Sequence, residues 1–380
     1  MSGAQLSFDD HPAIVLDSGS GTCRAGLAGD ETPSSLFPSI VGRRKFLLES
    51  IDEAYVGTDA QQRRELLHLS YPIEHGIVVN WEDMEKIWDH TFFSDLKLSP
   101  EEHPILTSEP PLNPKGNREK TAQVLFETYK APAIFMAYQP VLSLLASFQY
   151  QGIVVSVGDG VSYVVPLCES ETQLHSVRRV DLGGRDLTLQ LQQLLYKRGY
   201  SFTSSCELDI VRDMKEKLCF VARDRSHFKK LSTPMASKCE GSYKLPDGSV
   251  IKLDHERYMC PEMIFEPEDD SQEFKGLSGL IEDSINSLDI SCRKDMYMCV
   301  IVSGGTTFLP GFTERLQKEL LCASPPGVHH VKLCARPERG HYEWLGGSIM
   351  ASLSTYQQVF ISKKEYEEVG PSLVSRKHFY

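Results

Sequence analysis

A run of apolar residues that ends in an acid and a glycine-rich turn is the stretch of this sequence best suited to phosphate chemistry. Residues 13–30 read AIVLDSGSGTCRAGLAGD. The apolar run, the turn around Gly19 and Gly21 and a second apolar step predict a β-hairpin. Because glycine has no Cβ, backbone N–H groups at such a tip can approach an anion closely. Asp17 is placed to hold a hydrated cation beside that anion, and Arg24 brings a positive charge on the returning strand.

A single glycine-rich turn is more often an ordinary tight hairpin, but here the pattern occurs twice. Residues 153–160 read IVVSVGDG and align with IVLDSGSG at 14–21. A β-rich run, Val161–Leu167, follows the second turn. A third small-residue turn, Ser303–Thr307, follows another apolar strand. The duplication indicates two similar lobes, each directing one glycine hairpin at a shared nucleotide.

Composition limits the classes of protein to consider. The chain has 380 residues, enough for two domains, and a net charge of −12, which argues against a general nucleic-acid binder. Ten cysteines without a CxxC pair indicate reduced thiols in an intracellular protein. The N-terminal MSGAQLSFDD has no secretory pattern, and prolines and glutamines interrupt the most apolar stretch, 131–157. We therefore expect a protein without membrane insertion.

Helix signals place these turns within an α/β protein. Asn80 with Asp83 predicts a helix start, Asn117 predicts a second cap, and Pro140 predicts the first turn of a third helix over Val141–Phe148. Strands alternate with helices along the chain, which favours α/β layers with partly parallel sheets. Neither a GxxxxGK[ST] loop nor the dinucleotide G-x-G-x-x-G spacing is present, so a P-loop or Rossmann site is excluded.

Several long runs closely resemble the actins and actin-related proteins, from Pro12 to Phe379. These runs are YPIEHGIVVNWEDMEKIW, LNPKGNREK, IVRDMKEKLCFVA, YKLPDG, SGGTTFLPG, WLGGSIMASLSTYQQ and VGPSLVSRKHF. The resemblance implies a two-lobed α/β ATPase fold of the actin, Hsp70 and hexokinase class. Each lobe would be a mixed sheet flanked by helices, with a nucleotide cleft between the lobes. The first lobe would comprise 1–146 and 342–380 with a small insertion at 39–71, and the second 147–341 with an insertion at 183–271.

The resemblance also implies ATP and Mg²⁺ or Ca²⁺ as cofactors. Carried over by position, the phosphate contacts would be Gly19, Ser20, Gly21, Thr22, Arg24 (lysine in the family), Gly158, Asp159 and Gly160. The ribose and adenine contacts would be Gly184, Lys215, Glu216, Gly304, Gly305, Thr306 and Phe308. Asp17 would hold the metal ion through water. Without the resemblance, Lys215 and Glu216 read as an ordinary solvated helix pair, and Gly340 stands where many actins have a lysine near the adenine.

Two departures from the family pattern concern catalysis. Actins read L-D-S-G-D-G-V-T-H where this chain reads VSVGDGVSY at 155–163. Ser156 replaces the aspartate that helps to position the metal ion and the attacking water, and Tyr163 replaces the histidine beside that water. Of the water-organising residues, Gln139 remains, as a vestige. Because serine cannot act as a base at neutral pH, we expect ATP binding with weak or absent hydrolysis.

Three further departures concern assembly. The stretch between Arg43 and Tyr55 is shorter than in conventional actin and has no glycine, and residues 268–272 read EDDSQ where actins carry an apolar plug. Burying that acidic run against another subunit would be unfavourable. Phe148 and Tyr150 replace small residues near a groove where actin ligands insert a helix; they either fill it or form a new recognition surface.

These features favour a divergent actin-like, ATP-binding scaffold that is a subunit of a specific complex. Its partners would be proteins, such as actin, actin-binding proteins or complex subunits, and it would lie in the cytoplasm with the cytoskeleton. The nucleus is the alternative compartment, and an actin-related subunit of a nuclear chromatin complex is the corresponding alternative function. A filament-forming, ATP-hydrolysing actin is the main alternative function, and a sugar- or acid-kinase relative is a more distant one.

Overall fold

The computed structural model describes residues 11–45, 54–168, 171–231, 240–267 and 274–376. These residues form two compact units. The first comprises the described residues up to Tyr150 and those from His341 onward, and the second runs from Gln151 to Gly340. Strands and helices alternate in both units, which confirms the predicted α/β class.

The chain up to Tyr150 contains ten strands and four α-helices among its described residues. The strands are β1 (Ile14–Ser18), β2 (Thr22–Leu27), β3 (Ser35–Pro38), β4 (Val41–Arg44), β5 (Ala54–Val56), β6 (Leu67–Ser70), β7 (Ile73–Glu74), β8 (Ile77–Val78), β9 (Ile105–Glu109) and β10 (Ala133–Tyr138). The helices are α1 (Gly57–Gln62), α2 (Trp81–Asp89), α3 (Lys115–Gln123) and α4 (Gln139–Ala146). A 3₁₀ turn (Arg64–Leu66) and two π-helical segments (His90–Leu96 and Val124–Thr128) complete this part.

The second unit carries the next eight strands and seven α-helices in its described part. The strands are β11 (Gly152–Val157), β12 (Ser162–Cys168), β13 (Glu171–Thr172), β14 (Arg178–Val180), β15 (Gly241–Lys244), β16 (Val250–Leu253), β17 (Val300–Ser303) and β18 (Leu333–Cys334). The helices are α5 (Gly184–Lys197), α6 (Ser205–Leu218), α7 (Arg225–Leu231), α8 (Glu256–Glu262), α9 (Gly276–Asn286), α10 (Ile290–Met298) and α11 (Phe312–Ala323). Short 3₁₀ turns span Leu174–Ser176, Gly305–Phe308 and Pro337–His341.

The C-terminal part returns to the first unit. It contains α12 (Tyr342–Ser352), α13 (Ser354–Gln357), β19 (Ile361–Ser362), α14 (Lys363–Val369) and a 3₁₀ turn, Pro371–Ser375. Within the described ranges, no helix combines the length and the apolar character that crossing a bilayer requires.

The main sheet of the first unit is buried on both faces around its central strand. The strand order is β19-β10-β9-β1-β2-β3, with β1 antiparallel to β2 and parallel to β9. Ile14 and Leu16 belong to one apolar core cluster and Val15 to another. Because side chains alternate between the faces of a strand, burial of three consecutive residues requires a packed layer on each face.

The second unit repeats this arrangement. Its main sheet has the order β13-β12-β11-β17-β18, with β14 added beside β12. Here β11 is antiparallel to β12 and parallel to β17. A hairpin whose first strand also pairs with a later parallel strand is therefore present in each unit, as the sequence repeat predicts.

Outcomes differ for the three predicted helix starts. The Asn80 side chain accepts a hydrogen bond from the Asp83 amide (3.1 Å), which confirms this cap. The Asn117 prediction is wrong: α3 begins at Lys115 after Pro114, because proline fixes its own φ and its missing N–H costs nothing at a helix start. Pro140 does lie in a first turn, but α4 spans Gln139–Ala146.

The assembly departures are only partly visible. Residues 46–53 and 268–273, which contain most of the short stretch and the acidic run, lie outside the described residues. Phe148 and Tyr150 are 71 % and 70 % exposed, and Phe148 has a left-handed backbone (φ 56°). Their large side chains therefore lie on the surface of the first unit.

A close helix contact fixes α12 against α4 in the first unit. A Cβ at Gly346 would lie 1.9 Å from the carbonyl oxygen of Leu142, and one at Gly347 would lie 2.8 Å from Val15 Cγ1. The Trp344 indole Nε1 also donates to the Val15 carbonyl oxygen at 3.1 Å. The layer beneath β1 therefore depends on the absence of side chains at these two glycines.

We predict that Gly346→Ala destabilises the first unit by about 3 kcal/mol, because the added methyl group must displace the backbone of α4. Gly116→Ala is the matched control, since a Cβ at this helical position has no heavy atom within 4 Å. Thermal unfolding followed by circular dichroism measures both. Equal melting temperatures for the two variants would contradict the proposed contact.

Candidate functional site

The two glycine hairpins have the same turn. In the first, the Gly19 amide donates to the Thr22 carbonyl oxygen at 3.0 Å, and in the second the Gly158 amide donates to the Val161 carbonyl oxygen at 3.0 Å. These residues occupy equivalent positions of the sequence repeat. The repeat is thus a repeat of backbone structure, and residues can be compared position by position between the units.

This comparison identifies one cross-strand pair in each hairpin. In the first unit Asp17 lies opposite Arg24, and in the second Ser156 lies opposite Tyr163. Directly opposed side chains on antiparallel strands share one face and are close enough to interact. The first unit therefore carries an acid and a base at the place where the second unit carries two neutral residues.

The acid of the first pair is buried and already compensated. Asp17 is 2 % exposed, and its Oδ2 accepts a hydrogen bond from Arg24 Nη1 at 3.0 Å. The Ser108 hydroxyl donates to Asp17 Oδ1 at 2.6 Å, and the Gln139 Nε2 donates to Ser108 Oγ at 3.2 Å. Arg24, Asp17, Ser108 and Gln139 thus form one polar chain.

This chain limits how Asp17 can meet a divalent cation. Both of its carboxylate oxygens have partners, and the Arg24 guanidinium balances its charge. A bare cation would have to compete with Arg24 for the same oxygen, whereas a hydrated cation could be reached through water. The donor set therefore fits water-mediated contact, the mode that Mg²⁺ commonly retains.

The first turn is held by two neighbouring loops, one between β3 and β4 and one between β7 and β8. The Ser39 hydroxyl donates to the Gly19 carbonyl oxygen at 2.7 Å, and the Ser39 amide donates to that of Gly21 at 3.1 Å. The Gly76 amide donates to the Ser20 hydroxyl oxygen at 2.9 Å. The tip is therefore held in one conformation, which reduces the cost of ordering it around an anion. Thr22, which the sequence also predicts as a phosphate contact, is half-buried beside this turn.

The second turn is held by the start of α5 and by the third glycine turn. The Gly184 amide and the Thr306 hydroxyl donate to the Gly158 carbonyl oxygen at 2.9 and 2.7 Å. The Arg185 amide donates to the Asp159 carbonyl oxygen at 2.8 Å, and its side chain pairs with the Asp159 carboxylate at 3.2 Å. The turn Gly158–Gly160 and its supports thus form one connected site.

Two glycines permit this close approach. Gly304 has φ of 92°, and a Cβ there would lie 2.3 Å from the Val157 carbonyl oxygen. A Cβ at Gly184 would lie 2.7 Å from Thr306 Oγ1 and 3.3 Å from Lys215 Nζ. Thr306, Asp159 and Lys215 thus surround Gly184 and form a cradle that any side chain at Gly184 would fill. A Cβ at Gly305 would meet open space.

Lys215 belongs to this cradle and Glu216 does not. Lys215 is 5 % exposed, and its ammonium group donates to the Gly184 carbonyl oxygen and the Thr188 hydroxyl. Burial lowers the pKa of Lys215, an effect that the nearby Asp159 carboxylate opposes. The Glu216 side chain is 61 % exposed, with Arg212 at 3.9 Å. The solvated-pair interpretation therefore describes Glu216 alone.

A stacked arginine accompanies Phe308. The Arg339 guanidinium carbon lies 3.8 Å from the centre of the Phe308 ring, and Arg339 Nε donates to Thr307 Oγ1 at 3.0 Å. A Cβ at Gly340 would lie 2.9 Å from the same ring. The Arg339 guanidinium, next to Gly340, therefore packs against the Phe308 ring. An aromatic ring with an adjacent cation is suited to stacking against a nucleotide base.

Sequence reasoning did not identify five of the residues that build these sites. They are Ser39, Ser108, Arg185, Thr188 and Arg339. Only Ser108 has a usable signal, because it lies near the carboxyl end of β9, and polar residues at the carboxyl ends of parallel strands commonly face a ligand. The others act through contacts between segments distant in sequence.

A comparison with known protein families gives a match over nearly the whole chain. The family model described as Actin matches residues 8–379. This match confirms the resemblance and the two-lobed α/β fold that it implies. Members of that family generally bind ATP and a divalent cation.

We predict that Arg24→Leu destabilises the first unit by about 3 kcal/mol, because it leaves the buried Asp17 carboxylate without its counter-charge. Arg24→Lys is the matched control, since lysine keeps the charge and loses only the planar donor geometry. Urea unfolding monitored by tryptophan fluorescence reports on this unit, which contains Trp81, Trp88 and Trp344. The ion pair contributes little if Arg24→Leu unfolds at the same urea concentration as Arg24→Lys.

Proposed function

Since the chain belongs to the actin family, we propose that it is a divergent actin-like protein that binds ATP with little or no hydrolysis. In this proposal it serves as a scaffolding subunit of a protein complex rather than as the subunit of a conventional filament. The observation that carries the proposal is the Ser156–Tyr163 pair, which stands where the family has an acid and a histidine.

ATP binding is supported by what both hairpins retain. Each has a rigid glycine tip, and a cation accompanies each: Arg24 in the first unit and Lys215 in the second. Phe308 with Arg339 is suited to contact the base. A Mg²⁺ or Ca²⁺ ion reached through water from Asp17 would supply charge neutralisation at the phosphates. The bound nucleotide would stabilise the fold by mass action without any chemistry.

Loss of hydrolysis is supported by the chemistry of the replaced pair. Ser156 and Tyr163 are 4 % and 2 % exposed, and neither a hydroxyl nor a phenol accepts a proton at neutral pH. Gln139 can orient a water molecule through its amide but cannot remove the proton of that water. Loss of a positioned acid–base group typically lowers a rate by about 10²–10⁴-fold.

The scaffolding role is supported by the sequence of two assembly segments. Residues 43–55 contain no glycine, and residues 268–272 place three acids where an apolar plug joins filament strands in actins. An acidic segment is better suited to solvent or to a basic protein partner than to burial. We place the protein in the cytoplasm with the cytoskeleton, and a nuclear complex is the alternative.

Two measurements on the purified chain test this function. One is the amount of ATP that stays bound through gel filtration, and the other is light scattering after addition of KCl and Mg²⁺. Retained ATP without scattering is the expected result. An empty protein would overturn ATP binding, and scattering with phosphate release would establish the filament-forming alternative. Phosphoryl transfer to a small acceptor would instead favour the kinase class.

We predict that Ser156→Asp combined with Tyr163→His raises phosphate release by about 10²-fold, because it places an acid on β11 opposite a histidine on β12. Tyr163→Phe is the matched control, since it changes the same buried side chain without adding an ionisable group. Retention of ATP by the double variant verifies that the site is folded. An unchanged rate in a folded, ATP-retaining double variant would place the defect at other residues.

A further inference from the structure

Two histidines and a glutamate cluster at the end of β1 opposite to its glycine turn. His11, Glu102 and His103 each offer one ligand atom, and these three atoms lie within 4.8 Å of one another. We propose that this cluster is a binding site for a divalent transition metal, with Zn²⁺ as the ion that its ligands fit best. The site contains none of the residues assigned to the nucleotide and does not depend on the proposed function.

The fold brings the two histidines together through adjacent parallel strands. His11 and Pro12 precede β1, and His103 and Pro104 precede β9. Since β1 and β9 are parallel neighbours with Ile14 opposite Ile105, their amino ends lie at the same edge of the sheet. The Ile14 amide also donates to the Pro104 carbonyl oxygen at 2.8 Å, which ties the two approaches together.

A proline follows each of the two histidines. Each histidine directly precedes a proline, and a residue in that position is restricted to extended backbone conformations. Both histidines therefore enter their strands with a restricted backbone. This restriction reduces the conformational entropy that metal binding would have to overcome.

One ring nitrogen of His103 is hydrogen-bonded to a backbone carbonyl group, as is common for histidines that bind a metal ion. It is 7 % exposed, and its Nδ1 lies 2.9 Å from the Pro12 carbonyl oxygen. A carbonyl oxygen only accepts, so Nδ1 carries a proton, and in the neutral ring the lone pair is then on Nε2. Donation of the second ring N–H to a carbonyl group commonly fixes the tautomer of a ligating imidazole. The His11 ring meets this ring edge to face, with centroids 5.5 Å apart.

The donor set selects the class of metal. Two imidazoles and one carboxylate are a common zinc ligand set, whereas Mg²⁺ and Ca²⁺ prefer oxygen ligands alone. His11 and Glu102 are exposed, so an ion can enter from solvent and keep a water molecule at its remaining position. The adjacent Glu101 pairs with Lys130 at 3.2 Å, which distinguishes it from Glu102.

Co²⁺ is the spectroscopic probe for this site in the full-length protein. The chain has ten cysteines, and thiolate ligation of Co²⁺ gives intense near-ultraviolet charge-transfer bands. Ligation by imidazole and carboxylate gives weak visible bands without them. We expect the weak visible bands at one equivalent of Co²⁺, with displacement by one equivalent of Zn²⁺ in isothermal titration calorimetry. Charge-transfer bands at the first equivalent, or absence of binding, would overturn the site.

Variants at neighbouring positions separate this site from other metal-binding groups. We expect His11→Ala and Glu102→Gln to weaken Zn²⁺ binding by about tenfold or more, as loss of a ligand should exceed the loss of a supporting contact. The matched controls are Glu101→Gln and His68→Ala, which change an exposed residue of the same type in the same unit. Zn²⁺ should raise the melting temperature of the wild-type protein and the controls but not of His11→Ala. Equal Zn²⁺ affinity in His11→Ala, Glu102→Gln and their controls would overturn the proposal.

Discussion

The requirement that a buried charge have a partner governs the chemistry of both hairpins. At the end of β1, Asp17 is removed from water, and the strand opposite supplies Arg24 at 3.0 Å. At the equivalent place in the second unit, Ser156 and Tyr163 are buried without charge. A lone aspartate at position 156, opposite tyrosine, would lack the counter-charge that Asp17 has. A serine at position 156 opposite a tyrosine at position 163 therefore avoids a buried carboxylate without a counter-charge.

The two hairpins have the same backbone turn but different side chains at the opposed strand positions. The two turns keep the same amide–carbonyl bond, and the glycines of the second site still permit the approach of α5 and of the third turn. These features depend on glycine and on strand pairing, and they favour binding of an anion. In the proposed function, proton transfer would depend on the side chains at positions 156 and 163, where this chain has serine and tyrosine. A fold can thus keep a binding geometry while the residues that perform chemistry on the ligand are replaced.

The parts that were predictable from sequence are those determined by local chemistry. The two hairpins follow from the Gly-x-Gly repeat, and the start of α2 follows from Asn80, because a cap is made within one turn of chain. Asn117 misled because Pro114 offers a competing start three residues earlier. Ser39 and Arg339 were not predictable, since each acts through segments that only folding brings together. The resemblance predicts Glu216 as a nucleotide contact beside Lys215, but its exposed side chain shows that adjacent helix residues face different ways.

The two ends of β1 can be treated as independent sites. Asp17 lies six positions after His11, and an extended chain of that length spans about 20 Å. At that distance a metal ion interacts only weakly with the Asp17–Arg24 pair, because the guanidinium balances the charge of the carboxylate. The intervening Ala13–Leu16 segment is fully buried and apolar, so it offers no polar relay between the ends. A metal ion at the amino end would therefore stabilise the start of the sheet and leave the charge balance of Asp17 and Arg24 unchanged. Direct electrostatic interaction across this strand is too weak for Zn²⁺ to alter ATP retention. An effect of Zn²⁺ on ATP retention would therefore require a conformational change in the first unit.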